Sequence, residues 1–291
     1  MIPRGVYPAS VTPMTPSGEV DRPSFARLLA HFDSTDCSGV LIGGTNGEGP
    51  SLSATEKRDL VRDLVPLAPK RRVILGVATP SLDEAVWLSR QTARAGGIVL
   101  LMAPMFFREA SEAGIEAWFR SVLDQGDCPT LLYNFPARTG FTISADLLGR
   151  LADHPNLIGV KDSSGSAENL IPYRQATRPE QSLFVGDESL LLQALEASWS
   201  GTISGAANTL SHWLGEIIRD WDTPGRRESA ETKFQMLLPA IQAIRRSPQP
   251  TTNKALVHRL GFIEHATPRL PLLPPADWPE SVWQVLQPFV A

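Results

Sequence analysis

Two cysteines in 291 residues leave nothing from which to build a disulfide framework. Cys37 and Cys128 lie far apart and beside no metal-ligand spacing, so they read as buried free thiols in a reducing compartment and the protein as cytoplasmic. The five histidines are scattered and no His-Glu-x-x-His occurs, which speaks against a metal site. No apolar run approaches the roughly 20 residues that a membrane-spanning helix needs. The longest such run, from Gly97 to Phe107, is broken by Pro104. Met1-Ile2-Pro3-Arg4 is followed by no apolar stretch of the secretory kind, so no signal peptide is expected. A formal net charge of −4 supplies no basic field for nucleic acid. The glycine-rich loop Gly43–Gly49 lacks the Gly-Lys-Ser/Thr ending of a phosphate loop and the glycine spacing of a dinucleotide fold. With 42% apolar and 20% charged residues, a folded protein of ordinary soluble composition is left, with no membrane or nucleic-acid partner expected.

What the chain does have is repetition. A strand followed by a helix recurs about every 25–30 residues. The strands read as Gly5 to Thr12, Gly39 to Gly43, Arg72 to Ala78, Ile98 to Ala103, Thr130 to Phe135, the run from Leu157, Ser182 to Val185, and Gly201 to Ser204. Helix starts are marked by Asp21 with Pro23, by the capping-box pattern at Ser53 and again at Ser81, and by Ser111 and Ser144. Near-continuous apolar strands alternating with helices predict an α/β fold, a parallel (β/α)8 TIM barrel, with a doubly wound open sheet as the alternative. The eight units and their extent favour the barrel. After Thr223-Pro224-Gly225 only helical patterns follow, separated by prolines. The expected division is therefore a barrel over residues 1–224 and a small C-terminal helical domain over 225–291, with Pro271–Pro275 as a packed extended connector.

Active sites of such barrels sit at the C-terminal ends of the strands. There the sequence places the loop Gly44-Thr45-Asn46-Gly47-Glu48, Tyr133 and Arg138 around the fifth strand, Lys161 on the sixth, Gly186 after the seventh and Ile203 on the eighth. Lysine is almost never fully buried without a partner or a task, and an amine held out of water loses its proton more readily and can attack a carbonyl. Lys161 could thus form a Schiff base, with Tyr133 on the neighbouring strand moving protons. The glycine loop offers N–H groups to a carboxylate, and Arg138 can grip a second one. Taken singly, each has a plainer reading: a strand-end lysine reaching for water, a buried barrel tyrosine, a surface arginine, an ordinary turn.

Taken in order, Gly-Thr-Asn-Gly-Glu, Tyr-Asn-Phe-Pro-Ala-Arg-Thr-Gly, Gly-Val-Lys-Asp-Ser-Ser-Gly and Val-Gly-Asp-Glu resemble, nearly end to end, the dihydrodipicolinate synthase / N-acetylneuraminate lyase family of pyruvate-type class I aldolases. The resemblance implies that Lys161 forms the pyruvate Schiff base and that Tyr133 relays protons. It implies that Thr45 holds the pyruvate carboxylate and hydrogen-bonds this tyrosine. Gly44, Asn46, Gly186 and Ile203 would line the site, largely through main chain, and Arg138 would grip a carboxylate of the aldehyde partner. It also implies a homotetramer built as a dimer of dimers, with no cofactor and no metal. One position departs from the pattern. Phe106, expected to line the substrate site, stands where the family usually lends a tyrosine across a subunit interface, and it has no hydroxyl to relay a proton.

The expected activity is a lyase that makes or cleaves a C–C bond between pyruvate and an aldehyde, in the manner of a 2-keto-3-deoxy acid aldolase. The alternatives are a dehydratase, the synthase that condenses pyruvate with aspartate semialdehyde, and, from another class, a non-catalytic sensor of 2-oxo acids.

Overall fold

The computed structural model describes residues 2–68 and 71–290. The first half of the chain alternates β1 (Gly5–Pro8), α1 (Arg22–Asp33), β2 (Gly39–Ile42), α2 (Ala54–Leu64), β3 (Arg72–Val77), α3 (Leu82–Ala95), β4 (Ile98–Met102) and α4 (Glu112–Gly126). It continues as β5 (Thr130–Asn134), α5 (Pro136–Thr139), α6 (Ala145–Leu151), β6 (Leu157–Asp162), α7 (Leu170–Ala176), β7 (Ser182–Val185), α8 (Leu191–Glu196), β8 (Gly201–Ser204) and α9 (Ala207–Asp222). The helix starts follow from side chains that accept the orphan N–H groups of a first turn. Asp21 accepts from the Ser24 N–H, and Ser111 and Ser144 accept in the same way three residues on. At Ser53 and Glu56 the capping box is closed in both directions. At Ser81 only half of the expected box forms. The serine caps Glu84, whose carboxylate instead accepts from the Thr79 hydroxyl at 3.2 Å. The single turn α5, begun by Pro136, and the seven-residue α7, with no capping side chain, are not among the helices that the sequence pattern predicts.

All strand pairs are parallel, in the order β1-β8-β7-β6-β5-β4-β3-β2. The ends meet through bridges from Val6 to Cys37 and from Ala9 to Leu41, which makes the sheet a barrel rather than a doubly wound sheet. At its C-terminal end β1 is held from both sides, because successive N–H groups of a strand point to opposite neighbours. The Ala9 N–H donates to the Ser204 carbonyl at 2.8 Å, and the next N–H, of Ser10, to the Leu41 carbonyl at 2.9 Å.

Strand side chains alternate, so each strand feeds two cores. One face packs on the helices. The other fills the barrel with Tyr7, Leu41, Ile74, Leu131, Phe184 and Ile203. On β6 the same alternation turns Val160 to the helices and Lys161 inward. Cys37 and Cys128 are both buried and free, and burial pushes both thiols up, Cys128 to about 12.

Beyond residue 225 come α10 (Arg227–Arg246), α11 (Thr251–Arg259) and α12 (Glu280–Leu286). Phe234, Leu237, Ile241 and Ile244 form a stripe at helical spacing on α10 that packs with Leu210, Leu214 and Ile217 of α9. The connector Pro271–Pro275 packs less than its leucines suggest. Leu272 is half-buried, while Leu273 and the preceding Leu270 are exposed. Among the described residues, no helix is long and apolar enough to cross a membrane.

Candidate active site

β5 and β6 run in register with Tyr133 opposite Lys161, which brings the two side chains together inside the mouth of the barrel. The Lys161 Nζ lies 4.4 Å from the centroid of the Tyr133 ring, and Lys161 is only 4% exposed. The register is fixed by the next residue pair. Asp162, turned the other way, accepts from Asn134 Nδ2 at 2.8 Å, the Ser164 N–H and hydroxyl at 2.9 Å each, and Asn169 Nδ2 at 3.0 Å. A carboxylate this well satisfied clamps the ends of both strands.

Among the described residues three lysines are nearly fully buried, and their surroundings separate them. Lys254 meets Glu48 in a buried ion pair. Lys57 sits on α2 in the field of Glu84 and Glu56. Lys161 donates no hydrogen bond and joins no ion pair among the described residues, and it faces a cavity of about 210 Å³. Room for its stem comes from Gly186, where a Cβ would run into the Ser163 hydroxyl and stand 3.1 Å from Lys161 Cε.

The carboxylate-binding candidates come from the β2–α2 loop. Here the chain coils back on itself, with the Gly47 and Gly49 N–H groups donating to the Gly44 carbonyl and the Glu48 N–H to that of Thr45. Glu48 holds the left-handed conformation at φ 54°. The N–H groups of Thr45 and Asn46 make no backbone hydrogen bond, and both residues line the lysine cavity. The loop is held from below by the Thr12 hydroxyl, which donates to the Gly47 carbonyl at 2.6 Å. From the side it is held by Lys254 on Glu48 and by the Arg269 N–H on the other Glu48 oxygen at 2.7 Å. The Arg269 guanidinium, hydrogen-bonded to Glu56, holds that carboxyl down at about 2.

A second lobe of about 370 Å³ joins the first across Thr45, Tyr133, Arg138 and Gln249, and Gly44 lines it. Arg138, exposed on α5, lines both lobes and has no acidic partner among the described residues.

Three expectations change. The Tyr133 hydroxyl is 3.4 Å from the Ser163 hydroxyl, which donates to it, rather than bonded to Thr45. Ile203 lines neither lobe: its side chain belongs to the filled interior, and the surface there passes to Ser204, Gly205 and Ala206. Phe106 points away from its own chain's cavity, 78% exposed and edge-on to Phe107, because the chain turns outward after Met105. Other lining residues have no sequence signal near Lys161. Arg245 arrives from α10 and Gln249 from the link between α10 and α11, and Arg245 is already paired with Asp187 at 2.6 Å and Glu188 at 3.2 Å. Ser163, just past the end of β6 and two residues after Lys161, was within reach, as were Glu188, Ser204 and Gly205 at the ends of the last two strands.

Residues 2–281 match the dihydrodipicolinate synthetase family. A 4-hydroxy-tetrahydrodipicolinate synthase of Cyanothece sp. is 32% identical over 270 residues, covering 92% of this chain and 91% of its own. Among solved structures, the dihydrodipicolinate synthase DapA-2 of Bacillus anthracis superposes with a TM-score of 0.92 at 27% identity, covering 99% of each chain. The enzyme of Cyanidioschyzon merolae, solved with lysine bound, gives 0.92 at 29%, covering 98% of this chain and 97% of that one.

Proposed function

The chain belongs to the dihydrodipicolinate synthetase family, and on that premise we propose that it is a Schiff-base pyruvate lyase acting on 2-keto-3-deoxy acids, that is, on aldol adducts of pyruvate. The observation that carries this reading is Lys161: buried, without an ion-pair partner, and facing a cavity beside Tyr133. The pyruvate carboxylate lies against the Thr45 and Asn46 N–H groups. The Lys161 amine adds to the 2-oxo carbon. Tyr133 passes a proton to the carbinolamine oxygen, water leaves, and an iminium forms that withdraws electrons from C3. Loss of a C3 proton gives an enamine, which adds to an aldehyde. Read in reverse, the same iminium accepts the electron pair of the breaking C3–C4 bond.

Borohydride added with pyruvate is expected to fix a reduced pyruvate adduct on Lys161, read by peptide mass. An unmodified Lys161 under these conditions would sink the proposal and favour the 2-oxo-acid sensor. Tyr133→Phe is expected to lower kcat by about 10²–10⁴-fold with little change in the pyruvate concentration needed for trapping. Equal loss in both would remove the proton-relay role.

The synthase that uses aspartate semialdehyde is the second reading. The names of the relatives favour it, as does Arg138, unpaired and open to a carboxylate. Formation of product from pyruvate and aspartate semialdehyde, set against cleavage of a 2-keto-3-deoxy acid, separates the two. A homotetramer built as a dimer of dimers is part of the same proposal, supported by the exposed Phe106 and Phe107, which an interface would cover. A monomer by light scattering would remove it.

A further inference from the structure

The larger lobe of the cleft carries information that the lysine cavity does not. Its wall is built from Val77, Ala78, Leu100, Met102, Met105 and Leu272, drawn from the ends of β3 and β4 and from the C-terminal connector. Val77, Leu100 and Met102 are buried to within a few per cent, so they present fixed surfaces. Of the polar side chains that reach this lobe, Thr45, Tyr133 and Arg138 stand at its junction with the lysine cavity, and Glu48 and Gln249 are engaged by other groups of the protein. Glu48 takes Lys254 on one oxygen and the Arg269 N–H on the other. Gln249 donates to the Ile244 carbonyl at 2.8 Å and accepts from the Asn253 amide. Away from the junction with the lysine cavity, the half-buried Ser51 hydroxyl is the polar side-chain group left over.

A sugar-derived aldehyde would bring a hydroxyl on nearly every carbon into this space. Each would lose its hydrogen bonds to water and find few replacements. An alkyl or aryl tail would lose nothing and gain apolar contact. Rested on the Schiff-base reading above, we infer that this lobe receives the tail of the aldehyde partner and that the tail is apolar. The substrate class is then the 4-hydroxy-2-oxo acids with an alkyl or aryl group at the far end. In the forward direction, the enamine C3 forms its bond to the aldehyde carbon and the aldehyde oxygen takes a proton. Water then splits the iminium to release the product and regenerate the Lys161 amine, with no redox change. The junction residues Thr45, Tyr133 and Arg138 place the new bond between the lobes, with the pyruvate half beside Lys161 and the tail in the apolar half. Leu272 and Met105 become specificity-determining residues.

The test uses the full-length protein and aldehydes matched in length, such as hexanal and benzaldehyde against a polyhydroxylated aldose, each with pyruvate. The apolar members are expected to be favoured in kcat/KM by about 10²-fold, the scale on which an apolar pocket discriminates against one added hydroxyl. Leu272→Asn, at a half-buried position outside the barrel core, is expected to shrink that ratio about tenfold. Borohydride trapping with pyruvate alone is run beside it. No adduct at Lys161 overturns the Schiff-base reading itself. An adduct together with preference for the polyhydroxylated aldehyde overturns this inference and leaves that reading standing. Preference for apolar aldehydes that Leu272→Asn leaves unchanged overturns it too, because the tail then lies elsewhere.

Discussion

Lys161→Ala is expected to lose turnover by on the order of 10⁴-fold or more and to keep or slightly raise its melting temperature. The first half follows from chemistry. Among the described residues no other amine faces the cavity, and without one the C3 electrons have no iminium to flow into. The second half follows from surroundings. The Lys161 amine has no ion-pair or hydrogen-bond partner among the described residues, so truncating it orphans nothing and removes an amine that is costly to keep out of water. Activity with pyruvate and an aldehyde, borohydride trapping and a thermal melt on one preparation check all three. Residual turnover within tenfold of the wild type, in a folded variant, would mean that another group carries the chemistry.

Lys254→Met is expected to do the reverse, lowering stability by about 3–5 kcal/mol. Lys254 and Glu48 are both fully buried as side chains and meet each other directly, so removing the ammonium leaves a carboxylate in the interior with the Arg269 N–H as its other partner. The double variant Glu48→Gln, Lys254→Met removes both charges and is expected to recover more than half of that loss. Urea unfolding of the single and double variants measures this, and a Lys254→Met protein as stable as the wild type would show that the pair contributes nothing. Because Glu48 closes the loop that carries Thr45 and Asn46, the single variant is also expected to need more pyruvate for trapping.

The two lysines show what a sequence can and cannot say. The eight-fold alternation fixed the barrel, and it set Lys161 and Tyr133 at the active rim, because strand ends are local facts. Which buried lysine is paired was not local. Glu48 and Lys254 are 206 positions apart, and nothing near either announces the other. Ser163 is the partner of Tyr133 instead of Thr45 because hydroxyl pairing depends on a few tenths of an ångström in side-chain placement, below what register can specify. The apolar character of the second lobe was hidden for the same reason. Its wall combines strand ends with Leu272, which reaches it from a connector nearly 170 residues later. Phe106 was legible as a residue without a hydroxyl, whereas its outward direction follows from the turn after Met105.

The pairing of β1 on both sides at Ala9 and Ser10 has a bearing on how the chain is made. β1 leaves the ribosome well before one of its two neighbours, β8, with Gly5 opposite Gly201. Until the nearly two hundred residues that separate Gly5 from Gly201 have been synthesised, β1 has an unfilled edge, and the growing sheet is an open arc with bare N–H and C=O groups at its rim. Barrel closure is therefore a late step with a long loop to close, in a topology that pairs distant segments and so folds slowly. A nascent chain halted before Gly201 would expose that edge to its neighbours, which makes the interval between the first strand and the last the period in which this protein is most open to aggregation.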